Sequence, residues 1–258
     1  MPIRLSSIRP ENRTIKISEL NLHWIGILLL CLSTLSTAVI QRGMLRLDGA
    51  SPAEMEQIMA SGATAQWAVQ AMLLTMTATL ALPLYAKLLV EAVDQTEDKR
   101  RLLLELGGCA LASEVPYDWA MSGKLWNGGV QNPAWGLLIG GVMLLFFQRK
   151  EGNFQKRDIA AQAVAVAAAA AWTILLRVHL GALLVLLCAL FYFAYRAKKE
   201  WIALAAGAVL TLFYFPAPLG LLLVHWYDNK SRARTWVFCM LYTAQLIVFG
   251  ILGGILAS

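Results

Sequence analysis

The chain has 258 residues, of which 59% are hydrophobic and only 15% charged, and its mean hydropathy is +0.60. A soluble domain carries about 45–50% apolar and about 25% charged residues to keep its surface solvated, so composition excludes that class and assigns the surplus to lipid. The formal charge of +6 does not indicate nucleic acid, because the 22 Lys and Arg residues fall between apolar runs, the pattern that orients membrane spans.

A helix rises about 1.5 Å per residue and the hydrocarbon layer is about 30 Å thick, so roughly 17–25 apolar residues make one span. Eight candidates follow in order: 22–40, 67–93, 102–115, 133–147, 159–176, 180–195, 201–224 and 236–256. The third and fourth are short for a full crossing, and so tilted, extended or partly re-entrant. This predicts an all-α integral membrane protein, a polytopic bundle of about eight transmembrane helices, with a basic leader at 1–20 and one transmembrane domain at 21–258.

The leader carries Arg4, Arg9, Arg13 and Lys16, and the first span ends near Ser36-Thr37-Ala38, which raises the question of a cleaved signal peptide. The apolar run exceeds the usual h-region of about 7–15 residues and further spans follow, so a retained first span is expected. Basic residues are dense in the leader, at Lys99-Arg100-Arg101, over 148–158 and at Arg196, Lys198 and Lys199, and sparse in the intervening loops. The alternation predicts a cytoplasmic N-terminus. Lys230, Arg232 and Arg234 break it if the seventh segment crosses once. Phe215-Pro216-Ala217-Pro218 interrupts that segment, and two half-helices that dip in and return would restore the rule.

Ser51-Pro52-Ala53-Glu54 reads as a capped helix start, running to Ala60 and stopping at Ser61-Gly62. It is either a plain connector or a cover for a cavity mouth at the outer interface. Cys31, Cys109, Cys188 and Cys239 sit in apolar stretches without zinc-ligand spacing and read as small hydrophobes.

An ionisable group at membrane depth costs about 2.5–3.5 kcal/mol on insertion scales, so each one calls for a partner or a task. Lys87 and Glu91 share one helical face and can pair. Glu114 and Asp118 flank Pro116, which ends or bends the third helix and makes the two carboxylates the strongest general acid–base candidates; capping of local amides or pairing with Lys124 is the alternative. Asn132, in Gln131-Asn132-Pro133, is a cap for the fourth span or a donor into the same cavity. His23 beside Trp24 reads as an interfacial-belt residue, His179 as a hairpin tip or a proton shuttle, and His225 as an interfacial anchor or a partner for Asp228.

Leu82-Pro83-Leu84-Tyr85, Leu89-Val90-Glu91, Lys99-Arg100-Arg101-Leu102-Leu103 and Ala110-Leu111-Ala112-Ser113-Glu114-Val115-Pro116-Tyr117-Asp118 together resemble the core of the TraX family. These are polytopic bacterial membrane proteins named for the pilin N-acetylation factor of conjugative plasmids. The likeness continues through Gln131-Asn132, through Gly181 to Arg196 and Lys198, and through Tyr227-Asp228-Asn229-Lys230. It departs where the family pattern has histidines and this chain has Leu35, Gln95 and Gln245.

The resemblance implies a bacterial inner-membrane acyltransferase with no bound cofactor, using acetyl-CoA as co-substrate and a pilin-like or envelope acceptor. In that scheme Glu114 or Asp118 takes the proton of the nucleophile, Gln131 and Asn132 orient the acyl oxygen, and Lys99, Arg100 and Arg101 attract the CoA phosphates. Glu91, Tyr117, His179, Tyr227 and Asp228 would complete the substrate-binding set. A non-catalytic assembly partner that has lost the family histidines, or a small-molecule permease, are the competing expectations.

Overall fold

The computed structural model describes residues 17–47, 50–149, 156–227 and 235–257. Most of the expected leader, together with Asp228, Lys230, Arg232 and Arg234, lies outside the described residues. Everything described is helix, turn or isolated bridge, with no strand. The helices are α1 (Glu19–Thr34), continued by a π-helical segment (Leu35–Met44), then α2 (Pro52–Ala60), α3 (Gly62–Thr75), α4 (Thr77–Gln95) and α5 (Lys99–Ser122). After these come α6 (Ala134–Arg149), α7 (Lys156–Leu175), α8 (Gly181–Arg196), α9 (Glu200–Thr211), α10 (Ala217–His225) and α11 (Thr235–Ala257).

Four stretches are long and apolar enough to cross a membrane: Glu19–Met44, Gly62–Gln95, Asp158–Leu175 and Trp236–Ala257. Ala134–Arg149, Gly181–Arg196 and Glu200–Tyr214 are apolar but shorter. We call the end of the bundle where α1 begins proximal and the opposite end distal. Helices α1 and α11 run in parallel, since His23 stacks on Phe238 near their starts and Gly253 meets the Ala38 backbone near their ends.

Three departures from the sequence reading have local causes. The first helix does not stop at Ile40 but runs as a π-helix to Met44, because Arg42 is buried and donates to the carbonyls of Trp119, Ala120 and Gly250. A cation there also complements the negative end of α5, which closes on Gly123 at φ 71°. The second span is broken at Met76. Thr77 donates to Leu29 O at 2.9 Å and to Leu74 O at 2.6 Å, while Ser33 donates to Thr75 O, so the break is stitched onto α1.

The third departure concerns Pro116. It lies inside α5, which continues unbroken to Ser122 for 24 residues, instead of ending the helix. Glu114 and Asp118 therefore stand one turn apart on one continuous helix, 8% and 2% exposed.

Helix α8 is buried along nearly its whole length and packs on α4, α6, α7 and α9, which makes it the axis of the larger core with Leu84, Leu144, Phe147, Leu187 and Phe191. Lipid is as apolar as these side chains, so their cohesion rests on close packing. Glycines set that closeness. At Gly220 a methyl group would overlap the Leu80 carbonyl, and at Gly253 the Ala38 carbonyl. Helices α9 and α10 form an antiparallel hairpin: Gly207 abuts Leu221, and Glu200 at its start lies 4.0 Å from His225 at its end.

Candidate functional site

A cavity of about 140 Å³ lies between α1, α4, α5, α6, α8 and α11. Its α4 wall extends from Ala78 to Ala92, a rise of about 21 Å, so it reaches through most of the bundle. The proximal end is bounded by Glu19, Ala92 and Leu102, and the distal end by Pro133, His179 and Leu180. The walls are mainly aliphatic. The chemistry-bearing groups along them are His23, Tyr85, Cys109, Cys239, Tyr242 and His179.

The distal wall is organised around Asn132, which is fully buried. Its Nδ2 donates to Ser113 Oγ at 2.6 Å, and its Oδ1 accepts from Ala134 N–H at 3.0 Å and from the Tyr242 hydroxyl at 3.0 Å. Asn132 thus caps α6, and it touches the cavity lining only through the Ala134 N–H and the Tyr242 hydroxyl, from which it accepts. Ser113 stands nine residues before the end of α5, so the loop at Asn132 lies about 13 Å inside that end. Gln131 is held at that depth by backbone pairing with the α7–α8 turn: its N–H donates to Arg177 O at 2.9 Å and its carbonyl accepts from His179 N–H at 3.0 Å. Irregular backbone at membrane depth is tolerated where it is buried in protein or lines a cavity; Asn132 is buried and the adjoining Pro133 lines the cavity.

Glu114 accepts from Trp135 Nε1 at 2.8 Å through Oε2, and Asp118 accepts from Asn127 N–H at 2.7 Å through Oδ2. In each, the second carboxylate oxygen is buried without a hydrogen-bond partner among the described residues. Neither carboxylate pairs with Lys124, and neither belongs to the cavity lining. Tyr117 packs with Ala110, Phe238 and Tyr242 in the smaller core. His179 is exposed at the hairpin tip but contributes to the distal cavity end, where the apolar surroundings hold its pKa below the ordinary histidine value.

Glu91 belongs to a separate proximal cluster. It forms a buried ion pair with Lys87 and accepts from the Tyr227 hydroxyl at 2.5 Å, while the Lys87 ammonium sits 3.8 Å from the Tyr195 ring centre. The expected Lys87–Glu91 pair is therefore present and extended by two tyrosines. The basic run begins α5 next to Leu102 at the proximal cavity end. Lys99 donates to Val93 O, Arg101 pairs with Glu105 at 2.9 Å, and Arg100 is exposed. The structure thus places Asn132, Gln131 and His179 together at one end, Lys99 to Arg101 at the other, and Glu91 with Tyr227 in a third place.

Sequence reasoning missed His23 and Tyr85. Trp24 is 50% exposed, as an interfacial residue should be, whereas His23, turned about 100° away around the helix, is 6% exposed. The spacing Glu19, His23, Ile27, Leu30 runs along one face and was the available signal. Among the described residues no group of three His, Cys, Asp or Glu could hold a metal ion.

Apolar helices long enough to span a bilayer, wrapped around a narrow cavity with a few buried polar groups, define a multi-helix membrane protein. The family model described as TraX protein matches residues 18–253, and the chain belongs to the TraX family. No curated protein and no solved structure matches the chain.

Proposed function

We propose that this TraX-family protein is a membrane-embedded acyltransferase of the bacterial inner membrane that takes acetyl-CoA at its proximal, cytoplasmic end and delivers the acetyl group to an amine or hydroxyl entering from the distal end. The observation that carries this reading is the cavity, which extends from Leu102, next to the basic run at the start of α5, to Pro133, next to the buried loop at Gln131 and Asn132. The basic run and the buried polar loop lie at opposite ends of the bundle, and a slim passage between them lets one substrate reach both.

In this reading Arg100 meets the CoA phosphates, with Lys99 and Arg101 adding to the positive field from their helix-start positions. The thioester arm lies along the aliphatic walls. His179 receives the acceptor at the distal end beside Tyr242 and Asn132. Glu114 and Asp118 hold Trp135 and the loop over 123–132 in place, and their remaining oxygens can take up a proton. The acceptor is a pilin-like peptide or an envelope molecule.

The same reading gives seven crossings and a re-entrant hairpin in place of eight crossings. Glu200 and His225 meet at one end, and α9, with 12 residues, rises only about 18 Å. The hairpin returns the chain to the side of Arg196, Lys198 and Lys199, so Lys230, Arg232 and Arg234 join the other basic loops in the cytoplasm. The test is transfer of radiolabel from acetyl-CoA to envelope membranes by the purified full chain. Labelling of an acceptor supports the reading, and its absence with every membrane source, together with no CoA binding, overturns it.

A further inference from the structure

Two free cysteines line the cavity, Cys109 on α5 and Cys239 on α11, and their thiols are hydrogen-bonded to each other. The register of the two helices accounts for the meeting. Both helices run from the proximal to the distal end, and Gly250 of α11 packs on Trp119 and Ala120 of α5. Cys109 lies ten residues before Trp119 and Cys239 eleven before Gly250, rises of about 15 Å and about 17 Å, so the two thiols fall at one level. One turn further along, Asn132 bridges the same helices, because it bonds both Ser113 of α5 and Tyr242 of α11. That clamp holds the thiols opposite each other.

The other two cysteines are placed differently. Cys188 is fully buried in the larger core and donates to the Ala86 carbonyl at 3.8 Å, and Cys31 is not part of the cavity lining. Cys109 and Cys239 are both half-buried, so a small molecule in the cavity can reach their sulfurs.

Two thiols in contact have a reaction open to them that a lone thiol lacks. One sulfur bonds to a sulfur of a low-molecular-weight disulfide, whose S–S bond breaks and whose first half leaves as a thiol carrying the cysteine proton. The neighbouring cysteine then attacks that mixed disulfide, and the second half leaves as a thiol carrying the second proton. Two protein thiols are oxidised and one small disulfide is reduced to two thiols.

We propose that Cys109 and Cys239 are an oxidisable dithiol, which exchanges with a low-molecular-weight disulfide entering the cavity and so staples α5 to α11. The mainly aliphatic walls favour an uncharged disulfide. The staple closes the chain over α6 to α10, and a long loop closed in this way restricts the unfolded chain and raises stability. The site stands whether or not acetyl-CoA is the substrate.

The test is reaction of the reduced full chain in detergent with 4,4′-dipyridyl disulfide, followed by digestion and peptide mass mapping. Wild type yields a peptide pair joined through Cys109 and Cys239, with no pyridyl group on either. Cys239→Ala keeps a pyridyl group on Cys109, since no neighbour displaces it. The joined protein unfolds at a higher temperature than the reduced one, and dithiothreitol reverses the shift. A pyridyl group retained on Cys109 or Cys239 of the wild type, or both left reduced at saturating reagent, overturns the dithiol. A joined pair with an unchanged thermal midpoint overturns the staple.

Discussion

The Asn132 amide donates to the Ser113 hydroxyl across 2.6 Å, joining the loop before α6 to the middle of α5. That bond holds a polar, non-helical segment deep inside the bundle, next to the cavity. Replacing Asn132 with Leu leaves Ser113, the Tyr242 hydroxyl and the Ala134 N–H without this partner. The expected cost is about 2–4 kcal/mol, read as a lower thermal midpoint in detergent, and Tyr242→Phe in the Asn132→Leu background should add less than it does alone.

The proximal cluster predicts a different pattern. Lys87 and Glu91 are 6% and 5% exposed in their side chains, so removing one leaves the other charge buried. Glu91→Leu or Lys87→Met alone should destabilise by about 3–5 kcal/mol, and the double substitution should recover much of the loss. Thermal unfolding of the three variants checks this; a double variant worse than either single one contradicts a simple neutralising pair.

The sequence made the all-helical, membrane-type character of the chain readable because apolar runs of span length have a direct physical origin in the bilayer. It did not show what the segments do where tertiary contacts override local rules. Pro116 reads as a helix end or bend, and α5 continues through it to Ser122. Met76 carries no helix-breaking chemistry, and the break there comes from Thr77 and Ser33 bonding across to other backbone carbonyls.

The same limit applied to the site. Glu114, Asp118 and Asn132 stood out as polar residues in apolar surroundings, and all three prove buried. His23 did not stand out, because adjacent helical residues point about 100° apart and only the fold shows that Trp24 faces outward while His23 faces the cavity. Arg42 lies just beyond the expected first span, 22–40, because nothing in the sequence signals that α5 ends beside it.

Helix α2 offers a pH-dependent feature outside the spans. The Ser51 N–H and hydroxyl donate to Glu54 at 2.7 and 2.8 Å, and these bonds hold the Glu54 carboxyl below its usual range. A lowered folded pKa means the cap contributes above the ordinary glutamate range and is lost as pH falls through the folded value. Amide exchange at Ser51 and Glu54 should therefore accelerate relative to the α8 core as pH drops from 6 toward about 3, after correction for intrinsic exchange. Glu54→Gln should remove most of that dependence.

The hairpin predicts a topology. A periplasmic reporter fused at Asn127 should be active, and one fused at Arg232 should be inactive, because α9 and α10 return to the side of Lys198. Activity at Arg232 means that the seventh segment crosses the membrane.

The central claim is that acyl transfer runs through the cavity. Its most direct measurement is the rate of acetyl transfer from labelled acetyl-CoA to envelope membranes by wild type and by Cys109→Trp, which fills the passage midway, with Arg46→Gln as a control far from it. The account predicts transfer by wild type and Arg46→Gln and a loss of at least tenfold in Cys109→Trp when that variant remains folded by thermal unfolding. Equal transfer by folded Cys109→Trp, or none by wild type, contradicts it.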